Sequence, residues 1–389
     1  MSITILTIVG ARPQFIKAAA LSRAINGPFS GRITEYILHT GQHYEQGMSD
    51  VFFSEMGIPQ PAYRLNIGSS THGEQTGRML EGIEKVCQEL KPHAIVVYGD
   101  TNSTLAGALA GVKLHIPVVH IEAGLRSFNK RMPEEVNRIV ADHSSTLLYT
   151  PTDTGAANLL KEGFSALADA RAKGRCDLDN PYMVRCGDLM YDNTLHYATE
   201  AQRHNPLLDK LGLSGRPYLL ATIHRPQNTD DPATLLGILD ALRQCAAQAG
   251  QRVVIPMHPR TSNILRERMG REWDSLTADA AMCITEPVGF LEMLLLQRHA
   301  SMVLTDSGGV QKEAYFMQKP CVILRPETEW KEIVEAGCAL LAGSDPQRIV
   351  AAFDTMMAKA PTLQYPPIFG DGRAAEHICA TMLEYLGEY

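Results

Sequence analysis

Several carboxylates sit where proton chemistry could use them. Asp100 follows Gly99 at the end of one apolar, β-branched run, and Glu122 closes another in His120-Ile121-Glu122-Ala123-Gly124-Leu125-Arg126. Pro133-Glu134-Glu135-Val136-Asn137-Arg138 then opens a helical stretch with paired acids. Strand C-termini of open α/β sheets face the ligand crevice, so Asp100, Glu122 and Glu134 could meet there as acid and base for taking and returning a proton. Plainer readings exist for each: Asp100 as a helix cap, Glu134 and Glu135 as complements to a helix dipole. His120 and Glu122 raise the question of a metal, but no third ligand is placed, and none is expected.

A second group of residues suits an anion. Gly10-Ala11-Arg12-Pro13-Gln14-Phe15-Ile16-Lys17 follows the first apolar run, with a glycine for the turn and two cations, Arg12 and Lys17, near a helix start. It is not GxGxxG, which argues against a nicotinamide-dinucleotide fingerprint. Thr305-Asp306-Ser307-Gly308-Gly309-Val310-Gln311-Lys312-Glu313 is better suited: its serine and two glycines at a helix start expose N–H groups and a hydroxyl to a diphosphate, and Glu313 one turn later can accept from a ribose diol. The competing reading makes Ser307 an N-cap and Glu313 a surface acid. His224 and Arg225, after another apolar run, could stabilise a departing diphosphate, and His258 with Arg260 repeats the pairing.

These residues need rigid elements to hold them. Apolar β-branched runs occur at residues 3–9, 33–38, 94–97, 117–121 and 147–149, with helical stretches such as 14–25 and 73–89 between them. A second series follows at 218–223, 253–256, 282–284, 302–304 and 321–324, with helices at 233–248 and 346–357. Strand, Gly-bearing turn and helix in alternation imply parallel, helix-covered sheets, and their succession implies an α/β chain of two Rossmann-like domains. The expected organisation is an N-terminal domain over 1–188 with the carboxylates, and a C-terminal domain over 189–371 with the diphosphate site. A last helix, about 372–386, is expected to cross back to the first domain, and 166–180 reads as a polar surface insertion.

The bulk numbers exclude some classes. With 389 residues, 45% hydrophobic and 20% charged, the chain is neither disordered nor a membrane protein by composition. A net charge of −7 gives no bulk attraction for nucleic acid or anionic lipid, so a phosphate must be held by local groups. Eight scattered cysteines without a CxxC pair read as reduced thiols, and no run reaches the ~20 apolar residues of a membrane span. A cytoplasmic protein is expected.

In order along the chain, the blocks GARPQFIK, GDTNSTLAG, HIEAGLRS, PEEVNR, ATIHRPQN, PMHPR, LTDSGGVQKEA, RPETEW and YPPIFGDGRAAEHI resemble those of the non-hydrolysing UDP-N-acetylglucosamine 2-epimerases. That resemblance implies a GT-B-type architecture with the active site in the interdomain cleft, a homodimer, no cofactor, and a role in bacterial cell-surface polysaccharide such as O-antigen. It implies that Arg12, Lys17, His224, Ser307, Gly308 and Gly309 hold the diphosphate of UDP, Glu313 the ribose, and that Phe290 borders the uracil; His258 is a further UDP-binding candidate. Asp100, Glu122 and Glu134 become the acid/base group, with His224 assisting departure of UDP. The chain departs from the family's usual form at His224-Arg225-Pro226-Gln227, at Ser127–Met132 before PEE, and in Gln42-His43-Tyr44-Glu45-Gln46. With VGARPQFIK and GDLMYD, these departures look closer to the subgroup acting on UDP-2,3-diacetamido-2,3-dideoxyglucuronic acid, whose extra carboxylate Lys130, Arg131 or Arg225 could meet.

The chemistry expected is loss of UDP to a glycal, proton return on the opposite face of C2 and re-addition of UDP. The rivals are a GT-B glycosyltransferase that passes the sugar to an acceptor, a hydrolysing epimerase that releases free sugar, and a nucleotide-sugar sensor without turnover.

Overall fold

A computed structural model describes residues 2–42, 56–166, 177–204, 206–257 and 259–386, without the side chains of 202–204, 259–261, 263 and 264. His258, Cys176, His43 and most of the expected 166–180 insertion lie outside the described residues. The chain divides into two compact units, Met1–Asn193 with Pro367–Tyr389, and Thr194–Pro366. The division falls inside the helix Leu189–His204.

Among the described residues the first unit holds β1 (Ile3–Val9), β2 (Ile33–His39), β3 (Tyr63–Arg64), β4 (Ala94–Tyr98), β5 (Val118–Ile121), β6 (Leu147–Thr150), β7 (Ser165–Ala166) and β8 (Tyr182–Arg185). They form one parallel sheet in the order β3-β2-β1-β4-β5-β6-β8-β7. The reason is visible in the strands: all five residues of β4 are 0% exposed, the continuous apolar run of a strand covered on both faces. The covering helices are striped. His72–Leu90 buries Gln75, Met79, Ile83, Val86 and Cys87, a three-to-four-residue spacing that points one face at the sheet.

The second unit holds β9 (Tyr218–Thr222), β10 (Arg252–Pro256), β11 (Met282–Thr285), β12 (Met302–Thr305), β13 (Cys321–Ile323) and β14 (Ala339–Leu341). Their order is β11-β10-β9-β12-β13-β14, all parallel. Counted from its first strand this is 3-2-1-4-5-6, the Rossmann order, with the reversal of strand order between β9 and β12. Helix Pro232–Ala249 shows why the chain stops and starts where it does. Asp231 caps the N–H groups of Ala233 and Thr234 at 3.3 and 3.1 Å, and Gly250 ends the helix in the left-handed region at φ 61°. Its apolar side packs with β9, β10 and the helix Pro346–Lys359 into the unit's core.

Two doubly wound parallel sheets were expected and are found. The strands that the sequence pattern did not reveal are β3, β7, β8 and β14, of two to four residues each and all lateral in their sheets. The final helix begins at Ala374, because Gly372 at φ 80° and the bend before it are non-helical. It packs on the Arg12–Asn26 helix, and Tyr149 donates to its Ile378 carbonyl at 3.3 Å. The seven described cysteines are buried and unpaired by disulfides.

Asp192 caps this last helix, accepting from the N–H groups of Ala374 and Ala375 at 3.0 and 2.8 Å. Burial raises its carboxyl to about 6, assisted by the neighbouring Asp188 charge and opposed by the two N–H donors. A raised folded value means that the native state holds the proton more tightly than the unfolded chain. The associated stability is full below the ordinary carboxylate range and is lost as pH rises through about 6. Calorimetric melting of the wild type and Asp192→Asn between pH 4 and 7 checks this: the wild type should lose roughly 2–4 kcal/mol relative to the variant as pH rises.

Candidate active site

Unit 1 presents the ends of β1, β4 and β5 together. Gly10 turns out of β1 where a Cβ would collide with the hydroxyls of Ser103 and Thr40, so no larger residue fits. Gln14, at the third position of the helix, then stitches two strand ends. Its Oε1 accepts from the Gly10 and Ala11 N–H groups at 2.8 and 3.1 Å, and its Nε2 reaches the Tyr98 carbonyl and the Thr101 hydroxyl, each at 3.0 Å. Arg12 lies exposed at the first helical position, whereas Lys17 is buried and ion-paired with Glu122. Lys17 is therefore not a solvated helix-end charge. A Cβ on Gly99 would lie 3.3 Å from the Glu122 carboxylate and 3.4 Å from the Lys17 ammonium, which places the pair directly over the β4 turn.

Asp100 does not cap the following helix; Thr101 does, accepting from the Thr104 N–H at 3.3 Å. Asp100 Oδ2 instead accepts from Arg138 Nε and Nη2 at 3.0 and 2.7 Å. Arg138 also donates to Glu135 at 2.7 Å, tying the β4 end to the helix Pro133–His143. The paired acids of that helix separate by role. Glu134 is exposed, while Glu135 is 1% exposed and accepts from the N–H groups of Ser127 and Phe128, each at 2.8 Å. Burial opposes the charge on Glu135, but those N–H groups and the Arg138 guanidinium outweigh it and hold its carboxyl below the ordinary range. Glu135 thus anchors the loop that carries the exposed Lys130 and Arg131.

Glu122 has φ 71°, a left-handed backbone unusual for a side chain of its size. Both its N–H and that of Ala123 donate to the Tyr149 carbonyl at 3.0 Å. Buried Asp142 accepts from His120 Nδ1 at 2.6 Å, the Gly124 N–H at 3.1 Å and Arg126 at 2.7 Å. His120 Nε2 meets the Gly99 carbonyl at 2.8 Å, so both ring nitrogens are engaged and neither is offered to a metal.

In unit 2 the strand reversal between β9 and β12 carries the other expected residues. Ser307 occupies the N-cap position of the helix Gly308–Phe316, yet its hydroxyl makes no cap hydrogen bond. Gly308 faces Glu329, 3.4 Å from a Cβ built there, and Glu329 is gripped by Arg325 through two hydrogen bonds of 3.0 Å. Glu313 is not a surface acid: it is 7% exposed and accepts from Gln297 at 2.6 Å. Phe290 starts its helix buried, edge-on to Tyr197 at 5.8 Å. His224 and Arg225 are exposed, on a loop held from beneath by Asp306. That carboxylate, 0% exposed, accepts from the N–H groups of His224 and Arg225 at 3.0 Å and from Asn228 at 2.9 Å.

The structure thus gathers Lys17, Glu122 and the Gly99–Asp100 turn in unit 1, and His224, Ser307 and Gly308 around Asp306 in unit 2. Gln14, Asp142, Arg138 and Asp306, which hold these groups, were not singled out from the sequence. Only Gln14 carried a local signal, a Gln at the third helical position. A cavity of about 440 Å³ in unit 1, lined by residues including Arg185, Asp371 and His377, contains none of the expected site residues.

The sequence model of the family described as UDP-N-acetylglucosamine 2-epimerase matches residues 29–383. The chain is 46% identical over 386 residues, 99% of each chain, to UDP-2,3-diacetamido-2,3-dideoxy-D-glucuronate 2-epimerase of Pseudomonas aeruginosa. It is 39% identical over 373 residues to UDP-N-acetylglucosamine 2-epimerase of Methanocaldococcus jannaschii, covering 95% of this chain and 96% of that one. A crystal structure of the M. jannaschii enzyme in complex with UDP-GlcNAc and UDP aligns over 99% of this chain and 100% of its own, at TM-score 0.77 and 38% identity.

Asp306→Ala leaves three donors without their acceptor, a cost of about 2–4 kcal/mol because Asn228 is buried while the two backbone donors are part-buried. The expected outcome is a lower melting temperature, read by differential scanning calorimetry. An unchanged value would show that the loop holds its shape without the carboxylate.

Proposed function

The chain belongs to the non-hydrolysing UDP-N-acetylglucosamine 2-epimerase family, and from that membership we propose how its two groups of residues divide the work of this UDP-sugar isomerase. The observation that carries the reading is the Asp306 cluster, where one buried carboxylate joins the His224 loop to the helix start at Ser307-Gly308-Gly309. N–H groups at that helix start receive the diphosphate, with His224 stabilising it as it leaves. Glu313 takes the ribose, and Phe290 borders the uracil. Arg12 adds its charge to the diphosphate, as do His258 and Lys17.

The C2 hydrogen of the sugar is scarcely acidic. Departure of UDP from C1 builds positive charge at the neighbouring carbon and makes that hydrogen removable. Asp100, Glu122 and Glu134 supply the base that takes the proton and the acid that returns one to the opposite face, giving a glycal with UDP retained and then re-addition. In this route C2 is inverted by moving a proton and the UDP group, with no hydride transfer, so it calls on no nicotinamide. The substrate in this reading is the 2,3-diacetamido uronate, supported by the 46% identity to the P. aeruginosa enzyme and by three exposed cations, Lys130, Arg131 and Arg225, suited to a sugar carboxylate. The reading includes a cytoplasmic homodimer that supplies precursor for bacterial cell-surface polysaccharide such as O-antigen. Among the described residues no helix is long and apolar enough to cross a membrane.

Incubation of the enzyme with each UDP-sugar in heavy water, followed by proton NMR, tests both parts. Deuterium should appear at C2 of the product without an acceptor and without free sugar, and turnover of the uronate should exceed that of UDP-GlcNAc. Product that keeps its original C2 hydrogen would falsify elimination, and a preference for UDP-GlcNAc would overturn the substrate assignment. Sedimentation at twice the 42.7 kDa chain mass checks the dimer.

A further inference from the structure

Asp142 ties down the segment around Glu122 from both sides. Residue 120 reaches it through an imidazole, residue 124 through a backbone N–H and residue 126 through a guanidinium, at 2.6, 3.1 and 2.7 Å. Glu122 lies in the middle of that span with φ 71°. Gly124, at φ 81°, is packed so closely on Gly155 that a Cβ would strike its carbonyl, so the far side of the segment has no freedom to follow a displaced Glu122. The same aspartate stands at the end of the helix Pro133–His143, whose first turn presents Glu134. One carboxylate therefore fixes the β5 end relative to that helix.

The charges fit a fixed strut. The Gly99 carbonyl can only accept, so His120 Nε2 carries a proton. Burial opposes ionisation of Asp142, but His120 and Arg126 outweigh it and hold its carboxyl below the ordinary range. The ring is bonded at one edge to Asp142 and at the other to the turn that precedes Asp100. Arg126, itself bonded to Glu162 through two contacts of 2.8 and 2.7 Å, completes the network.

We propose that Asp142 is a positioning residue for epimerisation: it holds Glu122 in its left-handed backbone, beside Lys17, and sets the spacing between the β5 end and the helix bearing Glu134. The inference rests on Glu122 acting as an acid/base group. Without the three ties, the strained residue relaxes and its carboxylate leaves the reacting position, while the UDP-binding residues of the other unit are untouched. The effect therefore falls on kcat and spares KM.

Steady-state kinetics of the full chain test it, using Asp142→Asn, Asp142→Glu, Glu122→Gln and the two double variants, with C2 deuteration by solvent as the sensitive readout. Asp142→Glu keeps the charge and changes only the reach, so it carries the test if Asp142→Asn does not fold. Each Asp142 variant should lose about 100-fold in kcat, the cost of displacing a reacting group by about an ångström, with KM and UDP affinity within about threefold of the wild type. Added to Glu122→Gln, neither should lower the rate further, because the group being positioned is already gone. If Glu122→Gln keeps full turnover, the acid/base reading falls and the proposal with it. If Glu122→Gln is impaired but the Asp142 losses multiply with its own, or kcat is unchanged in the Asp142 variants, the positioning role alone is overturned.

Discussion

A buried aspartate surrounded by donors anchors the working loops of each unit, and much of the site geometry depends on those two anchors. Asp142 gathers His120, the Gly124 N–H and Arg126; Asp306 gathers two consecutive backbone N–H groups and Asn228. Both are 0% exposed. Such a charge is tolerated inside a protein only when its acceptor sites are filled, and here they are filled by the loops that carry the candidate site residues. The anchor and the loop stabilise one another. A loop following a strand end is thereby given a single conformation while its outer side chains stay available to a ligand.

The parallel sheets explain why these loops lie where they do. Every strand in such a sheet points the same way, so the turns that leave their C-terminal ends collect on one edge, and the reversal of strand order opens a gap between two of them. In unit 2 that gap falls between β9 and β12, the strands that lead to His224 and to Ser307. In unit 1 it falls between β1 and β4, the strands that lead to Arg12 and Asp100, and Gln14 fastens one to the other. The apolar strands of both units have no chemistry of their own; they supply fixed exits.

Charge is arranged locally, against a chain whose net charge is −7. Lys17 faces Glu122, Arg138 joins Asp100 to Glu135, and Arg325 grips Glu329 beside the helix start at Gly308. These three cations are matched to carboxylates, whereas Arg12, Lys130, Arg131 and Arg225 are exposed. Local pairing of this kind leaves no broad positive field to attract bulk polyanion.

The sequence alone determined the alternation of apolar strands and striped helices, and with it two doubly wound sheets, because that information is local: β-branched runs, helix caps such as Asp231, and a left-handed stop at Gly250. It also singled out Asp100, Glu122, His224 and the Ser307–Gly309 turn as candidates, since each follows an apolar β-branched run and so stands at a strand exit. Tertiary structure alone decided which acids face solvent and which serve as struts. Glu134 and Glu135 are indistinguishable in sequence, yet one is exposed and the other accepts two N–H groups from a loop seven and eight residues away. Asp142 and Asp306 could not be picked out for the same physical reason: their partners come from loops 16 to 82 residues distant, and a carboxylate's role is set by the donors that surround it, not by its neighbours in the chain.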